Sequence, residues 1–358
     1  MTVKTCLIVH PYSAKKDVGA GHDRYAYELI HRLPKCGVEL EVFDSGDLRT
    51  MSEAAFAELK AVRYLRQKSK GTVYHATATM NAMAPITSKA SPLVTTIHDV
   101  LWFFVKSRYD SGIKYQLKKF GIKRAANRSD RLIVPFRSTY EFLQETLKIP
   151  QHRLRIVPYG VDHGQFYPLG KDEKLARPSY LDPNYKNVLF VGAVNLGKGI
   201  DTLIKSFTEV VKNEPNARLV IGSKGWDTAI IKELLAASPV RDSIIMTGFI
   251  PEQELRAAYI YADVTAFPSR YGFGLSVLES MACGTATVSG RTLDAPEFVG
   301  NAGSMVDPES PAELAGALIK LLSDSTFRSD MVKAGLEKSG QYDWETTAAE
   351  TSRVYQEL

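Results

Sequence analysis

Twice along this chain, short runs rich in Val, Ile and Leu alternate with helix-length amphipathic stretches, and that alternation restricts the fold to parallel sheets covered by helices. In the first half the predicted strands are 4–10, 39–43, 72–75, 93–97, 131–134 and 153–157. Helices are predicted between them: 21–33 places Tyr25, Leu29 and Leu33 on one face, 53–67 repeats the spacing, and 138–147 follows another strand. From Tyr159 to Lys186 the periodicity gives way to Gly, Pro and Asp, which is linker composition. A second series then starts, with strands at 187–191, 218–221, 243–247, 264–267, 286–289 and 304–306 and helices at 200–212, 229–237, 252–261, 275–282 and 311–322. The segment 344–358 lies beyond the second sheet and is expected to pack back on the first half. With 358 residues the chain exceeds the size at which one core stops growing. The expectation is therefore two Rossmann-like, doubly wound α/β domains, 1–165 joined by 343–358, and 166–342. Their strand C-terminal edges face a common cleft, and such edges are where ligands bind.

Composition narrows the partners. The 44% hydrophobic and 24% charged content is that of an ordinary globular protein. No apolar run reaches about 18 residues, and the first apolar stretch reads as a buried strand and not a signal peptide, so a cytoplasmic location is expected. Cys6, Cys36 and Cys283 are scattered and lack the spacing of a zinc site or disulfide framework, which makes them small core residues.

The net charge of +5 is unevenly divided. Residues 1–168 hold 26 Lys and Arg against 15 Asp and Glu, a balance of +11, whereas the remainder stands at −6. Within the basic half, Lys106, Arg108, Lys114, Lys118, Lys119, Lys123, Arg124, Arg128 and Arg131 alternate with Trp102, Phe103, Phe104, Tyr109, Tyr115 and Phe120. A basic helix with aromatic neighbours suits an anionic membrane surface, which places the protein peripherally at the inner face of the membrane. A solvated helix face is the plainer reading. Nucleic acid is disfavoured, because no helix-turn-helix, zinc-finger or RNA-binding signature accompanies the charge.

Three places carry the residues of a phosphate and sugar site. Gly19, Ala20 and Gly21 follow the first strand and open the first helix, where backbone N–H groups can approach an anion; the same pattern also describes a plain turn. Lys198 with Gly199 stands at the start of the helix after the strand ending Phe190, Val191, Gly192, which suits a diphosphate; a solvated surface Lys is the alternative. In the run Tyr271, Gly272, Phe273, Gly274, Leu275, two glycines flank an aromatic residue at a helix entrance and leave amides open to a ligand. Glu279, a little over one turn inside that helix, can accept two hydrogen bonds from a ribose diol.

These stretches together resemble the retaining glycosyltransferases of family GT4, with the GT-B fold. The resemblance runs through Gly19–Arg24, through Thr96, Ile97, His98, Asp99, and through Arg155–Asp162. In the second half it runs through Val191–Gly199, Gly248–Pro251 and Pro268–Gly284, and Tyr342, Asp343, Trp344, Glu345 is similar to the family's closing helix. It implies that Lys198 holds the donor diphosphate, Glu279 the donor ribose, and the amides of Phe273, Gly274 and Leu275 the sugar and phosphate. His98 would sit against the transferred sugar, and Gly19, Ala20 and Gly21 would shape the phosphate side. His98, Lys198 and Glu279 are thus the expected catalytic set. The resemblance also implies a nucleotide-diphosphate sugar as substrate, a GDP- or UDP-sugar, with no cofactor and no metal. Mannose or glucose would pass to a glycan or lipid-linked acceptor.

Two departures stand out. Many members carry an Arg two residues after the strand-end Val-Gly, where this chain has Ala193 and then Asn195; Arg270 or Arg291 is the available replacement. The acidic residue that usually precedes Gly-Phe-Gly is absent, the chain reading Arg270, Tyr271, Gly272. Both departures favour a second reading, a catalytically inactive GT4-like binding or regulatory subunit.

Overall fold

The computed structural model describes residues 2–9, 21–44, 51–67, 71–104, 112–223, 228–272 and 274–358, leaving aside the side chains of 51–58 and 112–115. The chain divides into two compact units, Met1–Gly160 with Asp343–Leu358, and Val161–Tyr342.

The first unit is built on β1 (Val3–Val9), β2 (Val38–Asp44), β3 (Thr72–Ala76), β4 (Leu93–Thr96), β5 (Arg131–Val134) and β6 (Leu154–Ile156). All pairings are parallel, in the order β2-β1-β3-β4-β5-β6. Helices α1 (Gly21–Arg32), α2 (Met51–Arg66), α3 (Met83–Ser88), α4 (Gly112–Arg128) and α5 (Arg137–Glu145) connect them. Helices cover both faces of the sheet, so β3 and β4 are buried at every residue, the polar Thr72, His75, Thr95 and Thr96 included. The winding reverses between β1 and β3, which makes their C-terminal ends the switch point of this sheet.

The second unit holds β7 (Lys186–Val191), β8 (Ala217–Gly222), β9 (Ile244–Gly248), β10 (Val264–Phe267), β11 (Ala286–Gly290) and β12 (Ser304–Val306). Its order is β12-β11-β10-β7-β8-β9, again wholly parallel, with the reversal between β7 and β10. The helices are α6 (Ile200–Asn213), α7 (Ala229–Ala236), α8 (Glu252–Tyr261), α9 (Leu275–Ala282), α10 (Ala295–Phe298), α11 (Pro311–Ser323) and α12 (Ser325–Ser339). Leu203, Ile204, Phe207 and Val210 of α6 pack into one core with Val188, Phe190, Leu219 and Ile221 of the sheet. Each such side chain contributes roughly 1.5–3 kcal/mol on burial.

The last helix, α13 (Trp344–Gln356), belongs to the first unit. Asp343 caps it through Thr346 N, Trp344 is buried, and the backbone at Trp344 approaches Gly160 so closely that a Cβ there would stand 2.2 Å from Trp344 N. Glu357 then bridges Arg131 and Arg155, tying the chain end to β5 and β6. Cys6 and Cys283 are core residues, but Cys36 is only half-buried.

Candidate active site

At the switch point of the second sheet, neighbouring strands deliver two loops side by side. The loop after β7 forms a 3-10 turn, Leu196–Lys198, whose first orphan amide is capped by Asn195: its Oδ1 accepts from Lys198 N at 3.0 Å. Gly199 then takes a left-handed conformation, φ +71°, to start α6. No other residue fits there, since a Cβ would meet the Pro268 carbonyl oxygen at 1.9 Å. The second loop, after β10, nests against this turn. Arg270 N donates to the Gly197 carbonyl at 3.0 Å, and the Tyr271 ring fills the space that a Cβ on Gly197 would need. The Lys198 ammonium nitrogen lies 3.5 Å from the Cβ position of Gly272. The predicted cation and the predicted Gly-rich stretch therefore meet within one unit.

Arg270 makes this junction, and its role differs from the expected one. Its guanidinium bonds Asp201 through two nitrogens at 2.6 and 2.9 Å, Glu309 at 2.6 Å and Thr202 Oγ1 at 2.9 Å, and also donates to the Leu196 carbonyl. Burial opposes the charge, but Asp201 and Glu309 outweigh it and hold the guanidinium protonated. With its donors committed to the loop after β7, the start of α6 and Glu309, Arg270 is a clamp and not a replacement phosphate ligand. Arg291 points to the Met305 carbonyl and Glu313.

Glu279 sits on α9, whose C-terminal half is locked to the sheet by a buried triangle of hydroxyls: Thr265 to Ser280 at 2.6 Å, Thr265 to Thr287 at 2.9 Å and Ser280 to Thr287 at 3.2 Å. The carboxylate is half-buried and accepts from the Tyr259 hydroxyl at 3.2 Å. Beside it, burial and then the Glu279 charge push the Cys283 thiol far up, so Cys283 stays protonated. Gly274 and Leu275 form the N-terminal entrance of α9. Phe273 lies outside the described residues.

His98 belongs to the first unit, just past β4. Its Nε2 is 2.8 Å from the Thr77 carbonyl, an acceptor only, so Nε2 carries the ring proton and Nδ1 accepts from the Tyr159 hydroxyl. Burial first, then His22, pushes its pKa down to about 3, and the ring is neutral. Beneath it runs a second buried chain, Tyr355 to His75 at 2.6 Å, His75 to Thr96 at 2.8 Å and Thr96 to Tyr25 at 3.0 Å. Gly21 is exposed at the start of α1. Gly19 and Ala20 lie outside the described residues.

On the expected membrane face, the Lys118 ammonium stands 3.5 Å over the Trp102 ring, and Lys119 and Lys123 stand 5.5 and 5.9 Å from Phe103. Three apolar side chains nearby in sequence are exposed, Phe104 (56%), Leu117 (62%) and Phe120 (56%). Arg124 is half-buried, with its Nε shielded from solvent. Lys106, Arg108 and the Lys114 side chain lie outside the described residues. Among the described residues no helix is long and apolar enough to cross a membrane, and no group of three or more His, Cys, Asp and Glu is placed to hold a metal ion.

Sequence reading passed over the residues that hold the site in place. Asn195 carried a readable sign, a capping Asn three residues before Lys198. Tyr259, Tyr159 and Thr77 carried none, because each is 20 or more residues from the group it supports.

Residues 171–338 match the family described as "Glycosyl transferases group 1", and 56–165 match "Glycosyltransferase Family 4". A D-inositol 3-phosphate glycosyltransferase of Segniliparus rotundus is 29% identical over 266 residues; the match takes in 72% of this chain but only 59% of that protein's length. In fold, the chain is similar to a sucrose-phosphate synthase from Thermosynechococcus elongatus, with a TM-score of 0.82 at 19% identity over 99% of both chains. It is similar too to HepE of Anabaena in complex with UDP and glucose, with a TM-score of 0.75 at 15% identity, covering 99% of this chain and 100% of that one.

Proposed function

The chain belongs to the group 1, family 4 glycosyltransferases of GT-B fold, and from that premise we propose that it is an active, retaining hexosyltransferase using a UDP- or GDP-sugar. The observation that carries the reading is the pairing at the second unit's switch point: Lys198 after β7 and Glu279 after β10, on adjacent strands, with the Lys198 ammonium 3.5 Å from the Gly272 Cβ position. A cation at a helix start beside open amides stabilises a leaving diphosphate as its charge develops, and a carboxylate one loop away grips a ribose diol. The glycosyl C–O bond to the diphosphate breaks while the acceptor hydroxyl forms the new bond on the same face. The departing phosphate oxygen takes the acceptor proton, so configuration is retained without a nucleophilic carboxylate. Lys198, the amides of Gly274 and Leu275, and the N-terminus of α9 supply the positive potential in place of a metal. HepE was solved with UDP and glucose, which supports a nucleotide-sugar donor here. The transferred sugar is mannose or glucose and the acceptor a glycan or lipid-linked glycan.

The basic, aromatic face of α4 and Trp102 is the membrane contact, with Phe104, Leu117 and Phe120 as inserting groups and Lys118, Lys119 and Lys123 facing anionic headgroups. Incubation with GDP-mannose and UDP-glucose, in the presence and absence of EDTA, tests the activity. Nucleotide release from one donor, unchanged by EDTA and abolished in Glu279→Ala, is expected. An inactive subunit is the second reading, favoured by the loss of an acidic residue before Gly272. It predicts no release with any donor and acceptor.

A further inference from the structure

We infer that Tyr259 is a positioning residue for donor recognition, its hydroxyl fixing the Glu279 carboxylate in the orientation that grips the ribose diol; this rests on the role of Glu279 proposed above. Tyr259 lies on α8, fully buried, with its ring against Phe166 at 6.0 Å between centroids and its carbonyl accepting from Thr285 Oγ1 at 2.7 Å. Both ends of the residue are thus held by the fold. A phenol buried this completely must place its proton on an acceptor, and Glu279 Oε2 stands 3.2 Å away. Ionised, that carboxylate can only accept, so the hydrogen bond runs from Tyr259 to Glu279.

The surroundings hold the arrangement in that sense. Burial first, then the Glu279 charge, raises the phenol well above its ordinary range and keeps it protonated. The backbone beneath Glu279 is fixed independently through Ser280, Thr265 and Thr287. What remains mobile in a glutamate is its own set of side-chain torsions, and the bond from Tyr259 restricts that freedom before a nucleotide arrives. A carboxylate so aimed binds a diol without first having to be ordered.

The test is a double-mutant cycle with UDP and GDP, titrated against Tyr259→Phe, Glu279→Ala and the double variant of the full chain. Each nucleotide is repeated as its 2′,3′-dideoxy form, which lacks the diol. Tyr259→Phe keeps the ring, and its thermal midpoint is recorded alongside. The expected result is a loss of roughly tenfold in affinity for the ribonucleotide in Tyr259→Phe, less than about twofold for the dideoxy form, and no added loss when Glu279 is already Ala. Equal losses for both forms of the nucleotide, or losses that simply multiply in the double variant, would overturn the role of Tyr259 while leaving the donor site standing. A wild-type chain that binds neither nucleotide overturns the donor site and this inference together.

Discussion

The ring of Tyr271 lies over Gly197 so closely that a Cβ at 197 would stand 1.8 Å from the phenolic oxygen and 2.0 Å from the ring carbon that bears it. The two residues come from the loops after β10 and β7, so the contact fixes how the Gly-rich stretch meets Lys198. Gly197→Ala is expected to destabilise the protein by roughly 1–3 kcal/mol, the usual range for overpacking. Tyr271→Ala in the same chain should restore most of that loss. Urea denaturation of the two single variants and the pair measures it; equal instability in the pair and in Gly197→Ala would show that the ring is not the obstacle.

Lys198→Ala should weaken nucleoside diphosphate binding by about 10- to 100-fold, the scale of one lost charge-assisted contact, while weakening the free nucleoside little. Isothermal titration with UDP and uridine, or GDP and guanosine, makes the comparison. The difference between the two ligands should shrink as ionic strength rises.

Arg270→Ala removes one side of a paired, largely buried guanidinium and leaves Asp201 facing the loop without it. A destabilisation of about 3–5 kcal/mol is expected for breaking such a pair. Arg270→Ala with Asp201→Ala should be less destabilised than Arg270→Ala alone. The thermal midpoint of each variant reads this directly.

Acid should destabilise the protein through His75. Its pKa is lowered to about 3 by burial and then by His98, against about 6.5 in the unfolded chain. Below pH 6.5 the unfolded state takes up a proton that the folded state refuses. The stabilisation is therefore complete above pH 6.5 and is lost as pH falls towards 3, at about 1.4 kcal/mol per pH unit. His75→Gln should flatten the fall of the thermal midpoint between pH 6.5 and 5. An unchanged slope would place the proton uptake elsewhere.

Vesicles test the basic face. Binding to vesicles rich in phosphatidylserine is expected, with none to pure phosphatidylcholine. Phe120→Ser and Leu117→Ser should each lower the partition coefficient about tenfold through lost apolar burial. Charge reversal at Lys118 or Lys123 should do so in a salt-dependent way. Equal binding to both lipids would set the electrostatic part aside.

Much of the fold was legible in the order of residues. Predicted and observed strands differ by a residue or so at their ends, because the strands are short runs rich in Val, Ile and Leu and the helices between them carry regular apolar spacing. The helix Ser325–Ser339 is not among the predicted ones: its apolar Phe327, Met331 and Val332 are only partly buried against the core, and the residues it buries fully are the small Gly335 and Ser339. α3 and α10, at six and four residues, are too short to show a period.

At the site, Lys198, Gly272 and Glu279 could be named from their places after strands. Arg270 could not be sorted, because an arginine that binds phosphate and one that fastens two loops have the same sequence appearance. Asp201 and Glu309, 69 and 39 residues away, decide between them.

The sequence alone determined which segments form strands and helices, since local periodicity and turn chemistry act over a few residues. Tertiary structure decided which strands become neighbours, and so that the loop bearing Lys198 meets the one bearing Gly272. It also decided the partners of Tyr259, Arg270 and His75. Those pairings form only when distant segments pack, and the loss of water around each group is what makes its partner matter.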